Sequence, residues 1–386
     1  MAAAPPDEQR GAVVGSPAAR DAVLALSAVV FCWLAHELFV RLAAPLVVEQ
    51  SPFVQPLRFV PLHIAADWDS NYYRLNFDHY QYYAWPPLYT ETLRLVARLL
   101  RPAGDAFLAS ALVVNALAQL ALGWSLVRLV GVEEAARGGQ ASSLRRWLAP
   151  VLLLLWPLHN VFNAAYSESL FVALAAGCVL AWRLERFVVA SLLVALAFLT
   201  RTAGLFLIAG LAADSLYRSW RDRSWFTARQ LPGLVGIATV VGWQTWLRRV
   251  HGVDMESLQA PWIEELVRVH VTPGVEPRLW VAAQLLFVRV PDVLAVWLAI
   301  AVTVVALRRR RMLEAGWVGS YLASFALHVY RPFSVPRLLS IIFPLTNQLA
   351  EWCARKRWVA AVVVVLFAAV AFVEQTLLFA KRMGEP

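Results

Sequence analysis

The chain has 386 residues, of which 60% are hydrophobic and only 16% charged, and its net charge is +9. Soluble domains carry about 45–50% apolar and about 25% charged residues, so the composition excludes a soluble enzyme, a disordered protein and a nucleic-acid-binding domain. The basic excess is arginine: Lys356 and Lys381 are the only lysines, and most arginines fall in short connections between apolar runs. That is the positive-inside pattern of a membrane protein rather than a DNA-binding surface.

Residues 1–21, rich in Ala, Pro and Gly, are expected to form a disordered cytoplasmic tail. Residues 22–380 read as a single transmembrane domain. Its first apolar run, Ala22–Val40, has no convincing small-residue cleavage site after it and reads as an uncleaved helix. A long outer segment, 41–104, follows. Further runs lie at Leu108–Val130, Trp147–Leu158, Ser169–Trp182, Phe187–Leu199, Leu205–Tyr217, Leu231–Leu247, Val281–Leu307, Ala315–Val329, Leu338–Ala350 and Trp358–Phe379. The pattern predicts an all-α polytopic membrane protein of about 10–12 transmembrane helices.

Arginine places the connections. Arg137, Arg145 and Arg146 share one loop; Arg183 and Arg186 share another; Arg218, Arg221, Arg223 and Arg229 form a third. Arg308–Arg311 and the run Arg355, Lys356, Arg357 complete the set. With the N-terminus inside, all five fall on the cytoplasmic face, where they read as topology signals and headgroup contacts. The seven histidines and the acids Asp67, Asp69, Asp78 and Glu168 fall on or beside the opposite face. Ionisable groups at a bilayer edge are costly unless solvated or paired, so their gathering there points to a functional site. The cysteines Cys32, Cys178 and Cys353 are widely spaced in apolar surroundings and read as buried packing residues. No dinucleotide fingerprint, Walker A sequence, HExxH, CxxC pair or G-x-S-x-G elbow occurs.

Four motifs mark the outer side. The first is Asp67-Trp68-Asp69-Ser70-Asn71-Tyr72-Tyr73, leading to Ala84-Trp85-Pro86-Pro87-Leu88-Tyr89. On a helix the two carboxylates would point apart, so one could enter a pocket without the other. The surrounding aromatics suit either sugar stacking or an interfacial belt. The second is Tyr166-Ser167-Glu168-Ser169-Leu170-Phe171, where Ser167 is a candidate N-cap. Glu168 either complements the helix dipole or lines a polar cavity. The third is Thr200-Arg201-Thr202-Ala203-Gly204. Its arginine stands outside the positive-inside pattern and suits an anion, a partner such as Glu168 or a headgroup. The fourth, His328-Val329-Tyr330-Arg331-Pro332 with Arg337 beyond it, sets two arginines and a histidine in one outer turn.

Taken in order, these motifs resemble the PIG-V-like family, which contains GPI mannosyltransferase II and belongs to the GT-C glycosyltransferases. The resemblance covers roughly 20–350. The chain departs from the family pattern where Asp67 precedes Trp68-Asp69, at Trp85-Pro86-Pro87, and at Leu338 after Arg337.

The resemblance implies a GT-C-like bundle with a long outer loop between its first two spanning helices. It also implies an inverting, metal-independent transfer of a sugar, by analogy mannose, from a polyprenyl-phosphate donor on the outer face. No cofactor and no nucleic acid are implied, and the resemblance leaves protein partners open. The acceptor would be a lipid or glycan, and membrane lipids would surround the chain. Asp69 would be the base, with Asp67 and Glu168 as the other candidate catalytic acids. Arg201, Arg337 and Arg331 would hold the donor phosphate. Trp68, Tyr73, Trp85, Tyr89, Tyr166 and His328 would line the substrate site. Lysine-poor, Arg/Ala-rich usage favours a bacterial inner membrane. Two alternatives stay open: a transporter or flippase of a lipid-linked saccharide, although no internal repeat supports it, and a non-catalytic assembly partner of an envelope-glycan complex.

Overall fold

The computed structural model describes residues 16–48, 69–78, 86–102, 104–139, 142–156, 160–225, 227–254, 290–327 and 342–383. Among these, every regular element is helical and none is a strand. In chain order they are α1 (Pro17–Val48), α2 (Asp69–Asp78), α3 (Leu88–Leu100), α4 (Ala106–Ala135), α5 (Ser143–Leu154) and the single turn α6 (Asn160–Asn163). Then come α7 (Glu168–Arg183), α8 (Phe187–Thr200), α9 (Gly204–Asp222), and α10 (Leu231–Trp246), which runs on into a π-helical turn, Leu247–His251. The chain closes with α11 (Val290–Arg308), α12 (Met312–Leu327), α13 (Pro344–Cys353) and α14 (Arg357–Met383). Each apolar run of the sequence overlaps a helix, and the chain is an all-α membrane protein.

The first helix starts earlier than its apolar run. The Ser16 hydroxyl accepts from the Ala19 amide at 3.2 Å and Pro17 opens the helix. Such a cap, followed by proline at the first helical position, is a strong start signal. Asp21 is therefore helical and buried, held by Arg128 at 3.1 Å and Arg146 at 2.8 Å.

Among the described residues, two helices, at Pro17–Leu42 and Ala106–Ala135, are long and apolar enough to cross a bilayer alone. The shorter ones sit in the same bundle: α4 packs on α7, α7 on α8, α8 on α10, and α9 on α12, with α1 lying against α4, α5 and α14. Its outer surface is apolar. Leu117, Leu192, Ile237, Trp297 and Val365 come from five different helices and are all exposed. A soluble monomer rarely shows apolar surface on that scale, whereas acyl chains cover it at no cost. The three cysteines are free and buried.

The bundle has two unlike ends. One carries the arginine-rich connections, and there the structure revises the headgroup reading. Arg145 contacts Glu133, Glu134 and Glu351 and is buried. Glu351 also meets Arg137 at 3.3 Å, Arg309 at 2.6 Å and Arg311 at 3.8 Å. Arg183 pairs with Glu314 at 2.5 Å. These arginines tie the ends of α4, α5, α7, α11, α12 and α13 together and are neutralised within the protein. Glu133 and Glu314 are buried and Glu134 and Glu351 half-buried, and a buried charge such as that of Arg145 is costly without such partners.

Candidate functional site

The opposite end gathers residues from α2, α3, α4, α7 and α8. Tyr73 and Phe77 are one turn apart on α2, and Tyr89, Leu93 and Val96 line one face of α3. With Phe107, Ala111 and Val114 of α4 and Ala165 they form a second, small apolar core. The Tyr73 and Tyr89 rings meet edge to face, 5.0 Å between centroids, and both are fully buried. Edge-to-face contact matches the positive rim of one ring to the negative face of the other.

Two arginines fix α2. The Arg94 guanidinium donates to the Asn76 carbonyl at 2.6 Å and the Phe77 carbonyl at 3.1 Å, satisfying acceptors that the end of α2 leaves open. Arg74 pairs with Asp105 at 2.5 Å, and Asp105 also caps α4 by accepting from the Leu108 amide at 3.0 Å. Burial works against ionisation of Asp105, but the Leu108 amide and the Arg74 guanidinium outweigh it and hold the carboxyl below its ordinary value.

The helix held this way reaches the start of α7. The Tyr73 hydroxyl lies 2.6 Å from Ser167 Oγ. Arg201 Nη1 donates to the same Ser167 oxygen at 3.1 Å and lies 3.0 Å from Glu168 Oε2. Ser167, Glu168 and Tyr166 are all buried. Ser167 occupies the N-cap position, but its hydroxyl does not cap the helix, and its backbone is already helical (φ −79, ψ −5). Tyr73 and Arg201 engage that oxygen instead, so the capping expected from the sequence is not made.

Arg201 is aimed by its turn. It ends α8 in an extended conformation (φ −154), and its carbonyl accepts from the Gly204 amide at 2.9 Å. Gly204 is required there, since a Cβ would stand 2.5 Å from Phe198 Cα.

Two polar residues inside α4 were not signalled by the outer motifs. Asn115 donates to the Ala164 carbonyl and receives the Tyr89 hydroxyl at 3.4 Å. Gln119, one turn on, donates to the Phe162 carbonyl at 2.6 Å and accepts from Trp33 Nε1 at 2.6 Å. Together they hold the irregular 160–167 connection whose end carries Ser167. Their spacing of four within an apolar run was the available signal, because amides inside a spanning helix need a partner.

The described residues thus bring together Tyr73, Tyr89, Tyr166, Glu168 and Arg201. Asp69 is the first residue of α2, and helix periodicity puts its position on the face of Tyr73, one turn away; its side chain lies outside the described residues. Asp67, Trp68, Trp85, His328, Arg331 and Arg337 also lie outside them. No cluster of His, Cys, Asp and Glu suited to a metal occurs among the described residues.

The chain matches no family model and no curated protein sequence. Among solved structures it is similar to the oligosaccharyltransferase of Archaeoglobus fulgidus, solved in complex with zinc and sulfate, at 10% identity and a TM-score of 0.39. The match covers 90% of this chain and 52% of that one, so the chain spans about half the length of that protein.

Proposed function

We propose that the protein is an integral-membrane, inverting glycosyltransferase of the GT-C class, with motifs that resemble those of the PIG-V-like family. It transfers a sugar, by that analogy mannose, from a polyprenyl-phosphate donor to a lipid or glycan acceptor. The reaction needs no metal and takes place on the outer face of a bacterial inner membrane. The observation that carries this reading is a meeting of motifs. Tyr73 and Tyr89 from the first motif, Ser167 and Glu168 from the second and Arg201 from the third form one connected cluster, although long stretches of chain separate them.

The chemistry follows from the residue types. The acceptor hydroxyl attacks the anomeric carbon as the bond from that carbon to the phosphate oxygen breaks. The phosphate leaves with the electron pair, and the hydroxyl proton passes to Asp69. General-base help of this kind is worth about 10²–10⁴-fold in rate. A single acting base suits inversion, whereas retention would need a second carboxyl as nucleophile. Arg201 stabilises the charge growing on the leaving phosphate, together with Arg331 and Arg337. Glu168 orients Arg201 and is itself too buried to reach an acceptor directly. Asp67 is the reserve acid. Trp68, Trp85, Tyr166 and His328 complete the substrate walls.

The test is transfer from radiolabelled polyprenyl-phosphate mannose in membranes, wild type beside Asp69→Asn. A labelled product that disappears in an equally expressed variant supports the reading. Transfer persisting in Asp69→Asn moves the base to Asp67. Movement of an intact lipid-linked saccharide across the bilayer, without a product, would favour the transport alternative.

A further inference from the structure

The arginines at the arginine-rich end look alike in sequence, but the structure sorts them into two kinds. Arg137, Arg145, Arg183, Arg309 and Arg311 are bound by carboxylates of the protein. Arg223 and Arg310 form no ion pair among the described residues, yet they come together from separate helices. Both line a cavity of about 610 Å³ between the ends of α9 and α11, with Tyr217, Trp220, Arg221 and Leu307 around them. Arg221 shares Asp222 with Arg229, at 2.9 and 2.6 Å, so that carboxylate is already divided between two other arginines.

The backbone makes the choice of arginine at these two positions pointed. Arg223 has φ 50 and Arg310 φ 53. Each occupies the left-handed position just past a helix end. The following amide reaches back to the last turn, from Ser224 to the Ser219 carbonyl at 3.0 Å and from Arg311 to the Ala306 carbonyl at 2.8 Å. Glycine is the usual residue there because a Cβ is disfavoured. A long cation stands at both positions instead, and the two cations face one cavity. The lining carries exposed apolar groups as well: Trp220 and Leu307 are both exposed, and indole rings are enriched at the level of lipid headgroups.

We propose that this cavity binds the phosphate of an anionic glycerophospholipid. Arg223 and Arg310 hold the phosphate oxygens, and the acyl chains run along the exposed apolar faces of α9 and α11. The shared chemistry, a phosphate against two guanidiniums, would also suit a soluble phosphate. The apolar part of the lining is what selects the lipid, since a free anion gains nothing from Trp220 or Leu307. The site lies at the end of the bundle opposite Glu168 and Arg201 and does not depend on the transfer reaction proposed above.

The experiment is equilibrium lipid binding by native mass spectrometry on the full chain in detergent, with dioleoyl-phosphatidylglycerol and dioleoyl-phosphatidylcholine as probes. The wild type is expected to bind the first phosphatidylglycerol about tenfold or more tightly than the first phosphatidylcholine, since each basic residue near a headgroup adds to anionic affinity. Arg223→Gly/Arg310→Gly is the informative variant, because glycine keeps or improves both left-handed turns while removing both charges. It should lose the preference, and Arg223→Asn/Arg310→Asn should lose it too, asparagine also tolerating that backbone. Arg355→Gln/Arg357→Gln, at the same end but away from the cavity, should retain it. The proposal is overturned if the wild type shows no preference, or if the glycine variant keeps it. It is equally overturned if 10 mM inorganic phosphate displaces the bound lipid, since the occupant would then be a soluble anion.

Discussion

Arg201 Nη1 stands 3.0 Å from Glu168 Oε2, and the carboxylate side chain is 1% exposed against 11% for the guanidinium. Each charge is therefore the condition for burying the other. Glu168→Gln leaves a buried cation without its counter-charge, and Arg201→Gln leaves a buried carboxylate. Loss of one partner of such a pair costs about 3–5 kcal/mol. The double variant should cost less than the two single losses together, with a coupling of about 0.5–3 kcal/mol. Thermal unfolding of the four proteins in detergent measures it. Strictly additive losses would mean that the two groups do not stabilise one another.

Tyr73 tests how α2 is docked. Tyr73→Phe keeps the edge-to-face contact with Tyr89 but removes the hydroxyl that reaches Ser167. The expected stability loss is about 0.5–1.5 kcal/mol, the net worth of one hydrogen bond. Tyr73→Ala also empties a fully buried site and should cost about 3–5 kcal/mol. On the proposed function, in which Asp69 is the base, loosening Tyr73 one turn beyond it should lower the turnover of the proposed sugar transfer by about tenfold or more, as small misplacements of a base do. Tyr73→Phe turning over at the wild-type rate would show that the hydroxyl plays no part in placing the proposed base.

The apolar runs and the first three motifs marked segments that the structure brings to one end of the bundle, because both are properties of local sequence. What Ser167 does there was not legible. A serine before a helix signals a cap, and only the arrival of Tyr73 and Arg201 through space redirects its hydroxyl. The arginine-rich end misled for a related reason. Topology is set by Lys and Arg, with Asp and Glu contributing little. Counting cations therefore overlooks Glu133, Glu134, Glu314 and Glu351, whose pairing depends on which helix ends become neighbours. Asn115 and Gln119 were legible as polar positions in an apolar run, but their partners are backbone carbonyls of an irregular connection, which no side-chain pattern announces.

Asp105 supplies a pH dependence with a defined sign. Its folded value is lowered, so its contribution to stability is complete above the ordinary carboxylate value of about 4. That contribution is lost as pH falls further, through the lowered folded value, when the proton displaces Arg74 and weakens the α4 cap. Hydrogen exchange over 69–78 should therefore be slow and unchanged from pH 7 to about pH 5, once corrected for intrinsic rates, and should accelerate below about pH 4. In Asp105→Asn the protection should already be reduced at neutral pH and show little of the acid step. A wild-type step centred near pH 6 would assign the docking of α2 to another group.

Glu351 distinguishes a connected ion network from an isolated surface pair. It meets Arg137, Arg145, Arg309 and Arg311, joining four parts of the chain. Glu351 is half-buried, so Glu351→Gln should lower stability by about 1–3 kcal/mol, more than an exposed pair and less than a fully buried one. Glu37→Gln breaks an exposed pair with Arg41 one turn away on α1 and should cost about 0.5 kcal/mol or less. Unfolding midpoints of both variants at low and high salt make the comparison. Equal shifts would mean that the network is solvated like the surface pair.

Gly210 and Gly242 separate close helix approach from intrinsic helix preference. At Gly210, on α9, a Cβ would stand 2.6 Å from the Leu313 carbonyl oxygen and 3.0 Å from the Trp317 amide nitrogen of α12. Those are backbone atoms, so α9 and α12 would have to move apart, and Gly316 faces the same contact from the other side. Small residues at such a crossing let two membrane helices pack through dispersion contacts where no hydrophobic force separates lipid from protein. Gly210→Ala should cost about 1–3 kcal/mol, the usual range for overpacking. At Gly242, inside α10, nothing lies within 4 Å of the added carbon. Gly242→Ala should therefore be neutral or gain up to about 1 kcal/mol from helix propensity alone. A destabilised Gly242→Ala beside an unaffected Gly210→Ala would contradict the packing of α9 on α12, because the same methyl group would then be tolerated at the crowded position and rejected at the open one.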